Sequence, residues 1–274
     1  MAATNTFNEP AQIRRVQLRD HATVVAEWGT GDGLPTVFIH AALLDHQMWQ
    51  PTVSHLLRLD AGPPAPIYAY DLRGHGTASG AAPITGVDQL AADLADVIAA
   101  LGHPQVNLVG VSFGGAVAQR FTVDYPHHVR SLALIATAAS FPRSPMMARA
   151  ASLTDQDRDQ VVATTLDRWF GPAAQRAQPV VDYAMDHLNE VSPEHWAATW
   201  SALAGFDIGA AADAVSVPVL AVAGGDDVST PPTVVRELAG LYRRASYVEI
   251  PGAAHLVPLV QPAALAHRLM GIVA

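Results

Sequence analysis

The sequence predicts an α/β protein: a doubly wound, mostly parallel sheet carrying a helical insertion. Three observations lead there. Short β-branched apolar runs recur along the 274 residues and are too continuous for a sheet with one wet face. Helical patterns alternate with them, the rhythm of an open α/β sheet. From Phe141 to Ala212 the alternation stops and only helical patterns remain.

In chain order, two extended segments come first, Ile13 to Arg19 and Thr23 to Trp28, closed by the turn-forming Gly29-Thr30-Gly31-Asp32-Gly33. The apolar runs follow at Thr36–His40, Ile67–Asp71, Val106–Val111, Leu132–Ala136, Val217–Ala223 and Ser246–Ile250, each read as a buried strand. The clearest helix places Val87, Leu90, Leu94, Val97, Ile98 and Leu101 at three- and four-residue spacing, with Thr85 and Asp88 set as a capping box. Further helical patterns follow Ser112, Pro231 and Gln261. Inside the interruption they centre on Leu166–Phe170, Tyr183–Leu188 and Trp196–Leu203. The expected organisation is one core domain, residues 1–140 and 213–274, with residues 141–212 forming a lid over one edge of the sheet.

Composition removes whole classes of chemistry. Half the chain is hydrophobic and 15% is charged, enough for a large core. A net charge of -9 argues against nucleic acid or an anionic membrane as partner. There is no cysteine and no lysine, so disulfides, thiolate metal sites, Schiff bases and a phosphate-loop lysine are absent. No apolar run reaches the ~18 residues of a membrane span, and Met1 to Arg15 is polar, so a soluble cytoplasmic protein is expected. No His-Glu-x-x-His signature or other ligand spacing points to a metal, and no cofactor is expected.

One constellation remains. The run Val106–Val109 enters Gly110-Val111-Ser112-Phe113-Gly114-Gly115, and a helical pattern follows. A Gly-x-Ser-x-Gly between strand and helix lifts the serine out at the strand end, beside a helix N-terminus that favours negative charge. With these flanks the chain resembles the α/β-hydrolase superfamily over nearly its whole length. That resemblance implies the order nucleophile, acid, histidine, and Ala223-Gly224-Gly225-Asp226-Asp227 and Pro251-Gly252-Ala253-Ala254-His255 stand in that order after Ser112. It gives Ser112 as nucleophile, His255 as base and Asp227 rather than Asp226 as acid. The family's usual Gly-x-x-Asp loop, counted from Gly224, ends on Asp227, 28 positions before His255. Of 12 histidines, His255 stands in the loop after the last predicted strand, where the resemblance places the base, and His267 further on carries no motif.

The resemblance also implies an oxyanion hole from the backbone N–H groups of Phe113 and Ala42, although His40-Ala41-Ala42 replaces the familiar His-Gly. Asp71-Leu72-Arg73-Gly74-His75-Gly76 matches a family hallmark of structural role. Trp169, Trp196, Trp200, Met146 and Met147 fall in the insertion, where they are expected to build its own core and in part to line a substrate pocket. The loops after the late strands most resemble the 3-oxoadipate enol-lactonase-like branch, implying a small-molecule ester or lactone substrate. An acyltransferase, a C–C bond hydrolase, a cofactor-free haloperoxidase and a noncatalytic binding module stay open on the same scaffold.

Overall fold

The computed structural model describes residues 12–59, 65–171 and 178–273; most of the polar N-terminal segment lies outside them. Eight strands form one sheet in the order β1-β2-β4-β3-β5-β6-β7-β8. They are β1 (Gln12–Gln17), β2 (Ala22–Trp28), β3 (Thr36–Ile39), β4 (Ile67–Tyr70), β5 (Val106–Val111), β6 (Val129–Ile135), β7 (Val219–Gly224) and β8 (Ala245–Ile250). β1 and β2 run antiparallel to their neighbours, and β3 to β8 are parallel.

Helices α1 (Gln50–Leu59), α2 (Val87–Leu101) and α3 (Phe113–Asp124) belong to the first half of the sheet. Between β6 and β7 come α4 (Arg143–Asp155), α5 (Arg158–Phe170), α6 (Gln178–Glu190), α7 (Pro193–Ala204) and the short α8 (Gly209–Ala212). α9 (Pro232–Gly240) joins β7 to β8, and α10 (Val257–Val260) and α11 (Pro262–Val273) follow β8.

Every residue of β3, β4, β5 and β7 is buried, as continuous apolar runs require when helices cover both faces. β8 departs from that expectation. It is an edge strand, and Ser246 and Glu249 are exposed along it. The start of α2 also differs. Its N-cap is Gly86, and Thr85 donates from its backbone N–H and hydroxyl to Gln89 Oε1 at 2.9 and 3.0 Å. The longer glutamine reaches back, while the Asp88 carboxylate lies in solvent and approaches Arg120 at 3.4 Å.

The inserted helices α4 to α7 sit over the carboxyl ends of the central strands, not over a lateral edge. Tyr183 on α6 bonds to Asp45 in the loop after β3, and Leu256 N–H donates to Trp169 O on α5. The neck is a bridge between Ser140 and Asp207, with Ile208 N–H donating to Ala139 O. This placement roofs the end of the sheet where open α/β folds bind ligands.

Candidate active site

β5 ends at Val111, and Ser112 turns the chain into α3 with φ 51° and ψ -114°, a conformation strained for a side-chain-bearing residue. Its neighbours make the strain tolerable. A Cβ on Gly110 would collide with the Gly114 carbonyl, and one on Gly114 with the Ile39 and His40 carbonyls. Glycine at both sites lets α3 pack onto β5 and β3. Ser112 N–H donates to Ile135 O at 2.9 Å, and Thr137 Oγ1 donates to Ser112 O at 2.8 Å, so the bend is held from β6.

The loops after β7 and β8 meet this turn. His255 Nε2 lies 3.0 Å from Ser112 Oγ, and His255 Nδ1 lies 2.8 Å from Asp227 Oδ2. All three residues are buried: Ser112 is 8% exposed, His255 4% and Asp227 3%. Asp227 Oδ1 accepts from the N–H groups of Ser229 and Thr230 at 2.7 and 3.1 Å, and Thr230 Oγ1 donates to Oδ2 at 2.7 Å. Burial alone would raise the Asp227 carboxyl pKa. The charge and hydrogen bond of His255, with the donors of Thr230, outweigh it and hold the group below its ordinary value. An ionised Asp227 requires Nδ1 of His255 to carry a proton, which leaves Nε2 able to accept one from Ser112.

Asp226 is exposed, its backbone N–H bonds to Ala253 O, and its carboxylate makes no hydrogen bond to His255. The two neighbouring carboxylates therefore face different surroundings. Phe113 is the first residue of α3, and Ala42 follows Ala41, whose own N–H is occupied by Met48 Sδ at 3.2 Å. Neither Phe113 N–H nor Ala42 N–H has an acceptor among the described residues.

Ser112 and His255 open on a cavity of about 180 Å³ walled by Met146, Arg149, Trp169 and Trp200 of the insertion. Two other side chains expected there lie elsewhere. Trp196 is fully buried between helices, its Nε1 donating to Arg149 O at 2.6 Å and its ring set edge-on to Trp200, 5.9 Å between centroids. Met147, one residue from Met146 on α4, faces outward and is 43% exposed. A helical step of one residue turns a side chain by roughly 100°, which separates the two methionines.

Asp71 is saturated: Oδ1 accepts from His46 N–H and Nδ1 at 2.8 and 2.7 Å, Oδ2 from Thr77 N–H and Oγ1. Arg73 bridges Asp20 and Asp93. These bonds give the Asp71–Gly76 segment its structural role. They also engage Asp71 of the cluster Asp45-His46-Asp71, and Asp20 and Asp93 of the cluster Asp20-His21-Asp93, the two groups whose residue types could ligate a metal.

Sequence reasoning gave no role to Asp45, Tyr183 or His187, which tie α6 to the loop that follows Ala42. Asp45 Oδ1 accepts from Tyr183 Oη at 2.7 Å, and Asp45 Oδ2 pairs with His187 Nε2 at 3.1 Å. Burial favours the neutral form of both partners, but their hydrogen bond and mutual attraction prevail, so Asp45 is lowered and His187 raised, the latter helped by Glu190. A raised histidine stabilises fully below its unfolded value of 6.5 and loses that contribution as pH rises through the folded value. The lowered Asp45 stabilises above its unfolded value of 3.8 and fails only as pH falls through its folded value. His187→Gln is therefore expected to lower the melting temperature by a few degrees near pH 6. The gap should narrow above about pH 8. A gap that stays constant from acid to alkaline pH would assign the effect to packing.

With this geometry in place, comparison with known proteins defines the class. Residues 36–268 match the model of the alpha/beta hydrolase family, and the chain belongs to that family. Within it the chain is similar to 3-oxoadipate enol-lactonase 2 of Acinetobacter baylyi, 27% identical over 258 residues covering 93% of this chain and 94% of that one. Among solved structures it resembles the enol-lactonase of Burkholderia xenovorans, with TM-score 0.86, 23% identity and coverage of 94% and 99%. A thermophilic esterase of Thermogutta terrifontis gives TM-score 0.81 at 25% identity, with coverage of 95% and 97%. The sequence likeness to the Acinetobacter enol-lactonase agrees with the resemblance of the late loops and supports hydrolase activity, while the Burkholderia structure shows a shared fold. No helix among the described residues is long and apolar enough to cross a membrane.

Proposed function

We propose that the protein hydrolyses a small carboxylic ester or lactone through an acyl-enzyme on Ser112. The observation that carries this reading is the unbroken hydrogen-bonded chain Ser112–His255–Asp227 at a strained turn. Ser112 Oγ attacks the carbonyl carbon as its proton passes to His255 Nε2, and Asp227 holds the imidazolium that results. The N–H groups of Ala42 and Phe113 receive the negative charge that develops on the carbonyl oxygen. His255 returns the proton to the leaving alkoxide, which in a lactone stays attached to the acyl group. Water then repeats the sequence through the same base, releasing the acid and restoring Ser112.

Residues 141–212 act as the lid, contributing Met146, Trp169 and Trp200 to a pocket whose 180 Å³ suits a short acyl group. The enol-lactonase and esterase relatives support a small-molecule substrate.

A fluorophosphonate probe should label Ser112 covalently, and phenyl esters and lactones of graded size should be hydrolysed, the shorter ones faster. Absence of labelling with the fold intact would favour a noncatalytic binding protein. Labelling without hydrolysis, but with ester formation on added alcohol or peroxy-acid formation on added hydrogen peroxide, would favour acyl transfer or haloperoxidase chemistry.

A further inference from the structure

The backbone that carries Ala42 is held from two sides. Before it, the His40 ring bridges to the end of β4. Its Nε2 accepts from Leu72 N–H at 2.9 Å, so Nδ1 carries the proton and donates to Ala41 O at 2.7 Å. After it, Leu43 stands at φ 64°, a left-handed conformation that a bulky side chain keeps only where its surroundings impose it. Leu43 and Leu44 are buried, but apolar contact fixes no direction. The first polar anchor past the strained residue is Asp45. It caps its own turn by accepting from Gln47 N–H at 2.9 Å. Beyond that turn, its hydrogen-bond and ion-pair partners among the described residues both come from the inserted helix α6. Tyr183 Oη donates to Oδ1 at 2.7 Å and accepts from Asp45 N–H at 3.3 Å, while His187 Nε2 lies 3.1 Å from Oδ2. One hydroxyl thus grips both the side chain and the main chain of a residue three positions after Ala42. Tyr183 and His187 are one helical turn apart, with ring centroids 4.5 Å from each other, so α6 presents them together. None of the three lines the cavity of Ser112, which leaves them clear of the acyl group.

We propose that Asp45 is a positioning residue: gripped by Tyr183 and His187 of α6, it holds the strained loop so that the Ala42 N–H meets the carbonyl oxygen under attack. This rests on the acyl-enzyme reading and on Ala42 as oxyanion donor, both proposed above. An oxyanion donor is effective only when it is fixed before the charge develops, because a donor that must reorient during the reaction gives back what its hydrogen bond supplies. Released from Asp45, Leu43 relaxes toward negative φ and shifts the backbone beside Ala42. The insertion therefore does more than roof the site. Its docking through α6 completes the oxyanion hole, so transition-state stabilisation depends on a contact that spans 138 positions of sequence.

Tyr183→Phe removes the hydroxyl alone and keeps a ring beside His187. On phenyl butanoate its kcat is expected to fall roughly 10-fold with KM within about twofold of wild type. Asp45→Asn should fall further, towards the ~10²-fold that loss of one oxyanion donor costs. Two inhibitors separate positioning from general damage. Butylboronic acid forms a tetrahedral adduct on Ser112 with an oxygen in the oxyanion hole, and its inhibition constant should rise in each variant by the factor lost from kcat/KM. Butanamide, which binds without a tetrahedral charge, should keep its constant. Equal weakening of both inhibitors overturns the proposal, as does wild-type kcat in Tyr183→Phe. A raised KM at unchanged kcat also overturns it, and would assign these residues to a substrate surface in the groove of about 560 Å³ that Asp45 and His187 line. A wild type that neither hydrolyses the ester nor binds the boronic acid would count against the hydrolase reading instead. Amide exchange then decides: faster exchange over residues 40–45 in Tyr183→Phe supports the hold on the loop, and unchanged exchange overturns it.

Discussion

Ser112→Ala is expected to abolish measurable ester or lactone turnover while leaving the fold intact. The substitution removes only the hydroxyl, which bonds to His255 and to no structural partner. Alanine carries the same Cβ as serine, so the strain at φ 51° is unchanged, and the bonds from Ile135 O and Thr137 Oγ1 involve the backbone of residue 112. Without Oγ no acyl-enzyme forms, and the reaction falls back on water polarised by His255 and on the two oxyanion donors. In the serine-protease template that residue of catalysis is ~10³–10⁴ over the uncatalysed rate, a loss of about 10⁶-fold in kcat. Steady-state rates on a reactive phenyl ester, read beside a thermal melt, check both halves of the expectation. Turnover within about tenfold of wild type would remove Ser112 from the chemistry.

The parts of the structure legible in the sequence are those whose causes are local. β5, the turn at Ser112 and α3 are fixed by neighbours within a few residues: Gly110 and Gly114 allow the close approach, and Val106–Val111 is apolar throughout. The order Ser112, Asp227, His255 is legible through the family resemblance, and the fold brings the three together because each follows a strand end and parallel strands put their carboxyl ends on one side of the sheet. α4 was not readable. Only Met146 and Ala150 are buried along it, so no apolar stripe announces the helix, and its place depends on packing against α7. The tie from Asp45 to Tyr183 spans 138 positions and involves polar residues whose value exists only once α6 lies over the β3 loop. β8 misled because Tyr247, Val248 and Ile250 carry strand propensity, while the Ser246 and Glu249 beside them fit a strand at the sheet edge, a position that comes from topology alone.

The adjacent aspartates after β7 offer the second large effect. Asp227→Asn is expected to cost about 10⁴-fold in turnover, and Asp226→Asn no more than a few-fold. An asparagine at 227 keeps the shape of the side chain and can still accept from Ser229 and Thr230 through its oxygen. The atom now facing His255 Nδ1 at 2.8 Å can be an NH₂ donor, which demands an unprotonated Nδ1 and places the imidazole proton on Nε2. That proton points at Ser112 Oγ, so the base has no lone pair for the hydroxyl it must activate. The negative charge that stabilised the imidazolium is also gone. Asp226 has none of these contacts: its carboxylate is exposed, and the backbone N–H that anchors its position to Ala253 O survives the change to asparagine. The pH profile separates the variants further. Because His255 holds the Asp227 carboxyl below its ordinary value, wild-type and Asp226→Asn activity should not fall on the acid side through protonation of residue 227 until below about pH 4. Rates of the two variants on one substrate, with melting temperatures to exclude unfolding, test the assignment. Equal damage, or greater damage at 226, would detach the carboxylate role from Asp227 despite its 2.8 Å contact with the histidine.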